Sequence, residues 1–78
     1  MNKNEVTKQL IKSKVMAKFS HFSGGNLYYT VDLNEGNFQF TVPSSDIGTT
    51  NFYNEMRGSE LNRWILKGID SDEFIKLN

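Results

Sequence analysis

The sequence predicts an α+β domain: a short N-terminal helix, a three-stranded antiparallel β-meander, and a C-terminal helix or broken helix packed on one sheet face. Three observations carry this. Apolar residues recur with a period of two from Lys14 to Pro43, two short Gly-containing turns interrupt that run, and the period lengthens to three and four beyond Thr50. With 78 residues, the chain has room for a single domain, 1–78.

Residues 4–13 read as the first helix. Asn4 is placed to cap it and Glu5 sits where the helix dipole favours an acid; Val6 and Leu10, followed by Ser13 or Lys14, complete a thin stripe. So short a helix is marginal alone, so 1–14 is expected to be a loosely docked helical leader.

Val15, Ala17 and Phe19 alternate with Lys14, Met16, Lys18 and Ser20; Leu27, Tyr29, Val31 and Leu33 alternate with Tyr28, Thr30 and Asp32; Phe38, Phe40 and Val42 alternate with Gln39 and Thr41. Connections as short as Ser23-Gly24-Gly25-Asn26 and Asn34-Glu35-Gly36-Asn37 make hairpins and cannot make parallel crossovers. Pro43 lacks an N–H for the ladder and ends the third strand. The Val15-to-Val42 set forms the core side. Lys18, Ser20, Phe22, Tyr28, Thr30, Asp32, Gln39 and Thr41 are assigned to the opposite, open face.

Ser44 to Gly48 reads as a loop, after which Thr49 or Thr50 offers an N-cap hydroxyl. Phe52, Tyr53, Met56, Leu61, Trp64, Ile65 and Ile69 then fall mainly at helical spacing and should cover the apolar sheet face, with Trp64 in the core. Gly58 marks a break or kink, with Ser59 placed to cap a fresh start, and Gly68 suits the helix end. Asp70 and Glu73 have capping-box spacing ahead of Phe74, Ile75 and Leu77, which suggests a last helical turn.

Nine basic and nine acidic side chains cancel, which argues against a wholesale polyanion binder. The charges are segregated, however: residues 1–18 carry five lysines and one glutamate, whereas residues 19–56 carry four acids and no Lys or Arg. No Cys is present, so disulfides, thiolate nucleophiles and Cys-based zinc sites are excluded. No apolar run reaches signal-peptide or membrane-spanning length, so the expected location is the cytoplasm, with no membrane partner.

Catalytic constellations are sparse. His21 is the only histidine and has no companion ligand at metal-site spacing, so no metal, cofactor or catalytic residue is expected. Ser44 and Ser45 would need His21 and an orienting acid brought beside them, which nothing in the spacing demands. Asp70, Asp72 and Glu73 cluster where helix capping accounts for them, and no glycine pattern suits a phosphate cradle. The chain therefore reads as non-enzymatic.

Three binding readings remain. Phe22 and Tyr28 amid Thr30, Asp32, Gln39 and Thr41 have the composition of an interface centre for a partner protein. The alternative is a nucleic-acid module using Lys8, Lys12, Lys14 and Lys18 with Tyr28, set against the repulsion of phosphates by Asp32 and Glu35. A homodimer or larger homo-oligomer, pairing the open face with its own copy, is the third reading.

The stretches Phe19-Ser20-His21-Phe22-Ser23-Gly24-Gly25-Asn26-Leu27-Tyr28-Tyr29, Phe38-Gln39-Phe40-Thr41-Val42-Pro43, Asp46-Ile47-Gly48 and Arg63-Trp64-Ile65-Leu66-Lys67 together resemble a group of small uncharacterised phage and prophage proteins. The resemblance covers about residues 15–69 and brings no catalytic residues. It implies an accessory protein that binds and modulates or inhibits a host protein, such as a defence or nucleic-acid-processing enzyme, in the host cytoplasm.

Overall fold

The computed structural model describes Glu5, Val6, Lys8, residues 15–46 and residues 55–77. In chain order these form β1 (Met16–Ser23), β2 (Asn26–Leu33), β3 (Gly36–Pro43), a 3-10 turn (Ser44–Asp46), β4 (Glu55–Arg57), the helix α1 (Gly58–Asp70) and β5 (Ile75–Lys76). The architecture is α+β, as the sequence predicts, but the meander is the centre of a larger sheet. Its five strands run in the order β4-β1-β2-β3-β5, every pair antiparallel.

The three long strands form because their period-two pattern gives each an entirely apolar flank. Leu27, Tyr29, Val31, Phe38, Phe40 and Val42 are all buried, and the register aligns them in rows: Leu27 opposite Val42, Tyr29 opposite Phe40, Val31 opposite Phe38. The Tyr29 and Phe40 rings stack with centroids 5.5 Å apart, while Phe19 meets Tyr29 edge-on at 5.9 Å. Burial, and secondarily the negative charge of Glu60, raises the pKa of the Tyr29 hydroxyl above the usual phenol value.

α1 lies across this flank and inserts Leu61, Trp64 and Ile65, at spacings of three and one, so that one helix stripe meets the sheet. Trp64 is 3% exposed and belongs to the core; the Arg63 guanidinium and the Lys67 ammonium sit over its ring at 5.1 and 4.8 Å. Val6 joins the same core, completely buried. Of the expected 4–13 helix, Glu5, Val6 and Lys8 are among the described residues and the others fall outside them.

The C-terminal half departs from its helical reading in three places. Met56 is buried as expected, but on β4, where it pairs with Ala17. A three-residue strand and a helix both place one apolar residue inward, so periodicity there does not discriminate. α1 begins only at Gly58, whose φ of +69° turns the chain from strand into helix, and Arg57 rather than a hydroxyl residue holds the cap position, with no side-chain cap bond from it. The caps expected at Thr49 or Thr50 lie outside the described residues.

At the other end the last helical turn is replaced by β5. Gly68 falls within the final turn of α1; the chain leaves the helix after Asp70, with Ser71 N–H donating to the Lys67 carbonyl (3.2 Å) and Glu73 N–H to the Gly68 carbonyl (2.8 Å). Ser71 Oγ also donates to Glu73 Oε1 at 2.8 Å, so Glu73 serves the turn and not a capping box. The reversal lays Phe74 flat on Phe38, centroids 4.7 Å apart, and sets Ile75 and Lys76 beside β3. The apolar residues of this segment thus satisfy the edge of the sheet, an outcome that a short helix of the same composition would not provide.

Candidate interaction face

A single irregularity in β1 decides which side chains reach the open side of the sheet. Phe19 pairs with Tyr29, but His21 pairs with Tyr28, so Ser20 is an extra residue, a β-bulge, and the alternation inverts beyond it. Phe22 consequently stands opposite Leu27, on the core flank, at the hairpin end where it remains 50% exposed. Its assignment to the open face is corrected: strict alternation places it there, and the bulge moves it off.

His21 takes its place. The imidazole stacks on Tyr28 with centroids 4.4 Å apart and planes within 8°, and its Nδ1 lies 3.0 Å from the Ser20 hydroxyl in a hydrogen bond. Around the lone histidine, the contacts are thus a phenol ring and a hydroxyl.

The other expected residues share the outer surface. Thr41 lies beside Tyr28; Thr30 stands between Lys18 and Gln39; both threonines, Tyr28 and Gln39 are half-buried by their neighbours. Asp32 is exposed and accepts a hydrogen bond from the Asn37 side-chain amide. The centre of the face is therefore made of rings, hydroxyls and amides without a formal charge.

Its two margins differ. Toward β4, Lys18 faces Glu55, and Arg57 reaches both Glu55 Oε1 (3.4 Å) and the Met16 sulfur (3.0 Å). Toward β5 the margin is apolar. Ile75 pairs with Gln39 and so points the same way, Leu77 follows two residues later with its N–H donating to the Asn37 carbonyl at 2.7 Å, and the two are 52% and 48% exposed. Sequence reasoning missed both because it placed them on a helix. The available signal was the alternation Ile75-Lys76-Leu77, too short to outweigh a capping-box spacing.

The basic residues of the nucleic-acid reading are not gathered. Lys8 and Lys18 are exposed, Lys18 lies opposite an acid, and Lys12 and Lys14 fall outside the described residues. A cleft of about 160 Å³ opens at the far end of α1 between Trp64, Pro43, Lys67 and Glu73; of the expected site residues it takes in only Thr41. Among the described residues no cluster of His, Asp or Glu is placed to hold a metal ion, and no helix is long and apolar enough to cross a membrane.

Fold and surface together define a small α+β domain with a five-stranded antiparallel sheet, one flank under a helix and the other open among the described residues. No known family, curated protein or solved structure matches the chain.

Proposed function

We propose that the domain is a non-enzymatic accessory protein that docks a host protein through the outer sheet face and thereby modulates or inhibits it. The observation that carries this reading is the make-up of that face: an uncharged, hydrogen-bonding centre around Tyr28, Thr30, Gln39 and Thr41, bordered by half-exposed Ile75 and Leu77. Depletion of charge at the centre with an aromatic anchor is the pattern of interface cores. The resemblance to small phage proteins supports the host context. The nucleic-acid alternative draws less support, because Lys18 faces Glu55 and the face holds Asp32.

The test is affinity capture from a bacterial lysate with three forms of the chain. The wild type and Phe22→Ser are expected to retain a common stoichiometric partner, and Tyr28→Asp to lose it. Capture insensitive to Tyr28→Asp, or no stoichiometric partner, refutes the reading. A concentration-dependent dimer in light scattering, abolished by the same substitution, would instead assign the face to a second copy.

A further inference from the structure

The two edges of the sheet are protected unequally. Exposed sheet edges offer unpaired backbone groups to other strands, and proteins blunt them with charge. At the β4 edge this is done by Glu55 and Arg57, which pair with each other at 3.4 Å. The β5 edge instead carries Ile75 and Leu77, both about half exposed, with Lys76 between them as its one charge. Among the described residues β3 is the only strand beside β5.

From this asymmetry we infer that β5 accepts an added strand from the partner, an extended segment of apolar–acidic–apolar sequence. Strand addition takes its affinity from main-chain hydrogen bonds and its selectivity from alternate side chains. The two apolar residues would lie beside Ile75 and Leu77, and the carboxylate would face Lys76, which is exposed and has no acidic partner among the described residues. A second copy is the poorer occupant. In an antiparallel pair of β5 strands, the register that sets Ile75 beside Leu77 also sets Lys76 directly against Lys76, and like charges so opposed are unfavourable. The inference rests on the docking role proposed for the outer face and names the chemistry at one margin of it.

The experiment uses the full chain, isotope-labelled for amide NMR, titrated with blocked pentapeptides Thr-Val-Glu-Val-Thr and Thr-Val-Lys-Val-Thr. Saturable shifts are expected at Ile75, Lys76, Leu77 and Gln39, with the glutamate peptide binding about tenfold more tightly, since opposite- and like-charged cross-strand pairs differ by that order. Lys76→Glu, an exposed change that leaves the core intact, should reverse the preference. No saturable shift, shifts confined to other residues, or a preference unmoved by Lys76→Glu overturns the inference. If β5 stays silent while capture still depends on Tyr28, this inference falls alone; loss of that capture removes the docking role itself.

Discussion

One substitution, Gly→Ala, is expected to have opposite signs at the two glycines of α1. At Gly68 the backbone is ordinary helix, and an added Cβ would sit 3.5 Å from Phe74 Cβ, 3.6 Å from Phe74 N and 3.8 Å from its Cα. Those are van der Waals contacts without overlap. The gain in helix propensity, about 0.8–1.0 kcal/mol for Ala over Gly, is therefore retained in large part, and Gly68→Ala should stabilise the domain by about 0.5–1 kcal/mol.

At Gly58 nothing lies within 4 Å of the new Cβ, so packing is not at issue, but φ is +69°. Left-handed backbone costs an L-residue about 1–2 kcal/mol. Part of this is offset because Ala also restricts the unfolded chain, by about 0.4–1 kcal/mol. The net expectation for Gly58→Ala is a loss of about 1 kcal/mol. For a domain of this size an effect of about 1 kcal/mol moves Tm by roughly 4–8 °C, so the two substitutions should shift it in opposite directions, Gly68→Ala by about half that or more. Thermal and urea unfolding followed by far-UV circular dichroism and Trp64 fluorescence measure both. Shifts of the same sign would refute the account of where α1 starts and how tightly its end approaches Phe74.

Other consequences are equally direct. Leu61→Ala empties a fully buried position beneath the sheet and should cost about 2–5 kcal/mol, a large share of what so small a domain possesses; urea midpoints would show it. Deleting Ser20 removes the bulge but leaves Phe19 opposite Tyr29, His21 opposite Tyr28 and Phe22 opposite Leu27 in unbroken alternation, so the ring-current shifts between His21 and Tyr28 should persist in the NMR spectrum; their loss would contradict the register. Tyr29 keeps its proton to higher pH folded than unfolded, so stability is unaffected below the ordinary tyrosine range of about 10 and declines as pH rises through it; phenolate absorbance should show one tyrosine lagging until unfolding. Arg57→Ala should alter stability by less than about 1 kcal/mol, because its ion pair with Glu55 is largely exposed.

Some of the candidate face was readable from residues alone. Tyr28, Thr30, Asp32, Gln39 and Thr41 belong to β2 and β3, whose alternation runs unbroken from Asn26 to Pro43, and every one of them lies on the outer side. Phe22 did not obey the same rule. A bulge inserts a residue without changing composition, and Ser20 is unremarkable in any strand, so the inversion beyond it leaves no trace in a hydropathy pattern. Ile75 and Leu77 were hidden for a different reason: over two or three residues, a helical turn and a strand present apolar side chains equally well, and local caps then dominate the reading.

By itself the sequence determined the chemistry available and the elements whose period persists for several residues: three strands, two tight turns, the apolar stripe of Leu61, Trp64 and Ile65, and the neutral middle of the face. Tertiary structure alone decided the fates of Met56, Phe22, Ile75 and Leu77. Met56, Ile75 and Leu77 answer to backbone groups of β1 and β3 that are distant in sequence, whose need for edge partners outweighs weak local preference, while Phe22 answers to the bulge in the pairing of β1 with β2.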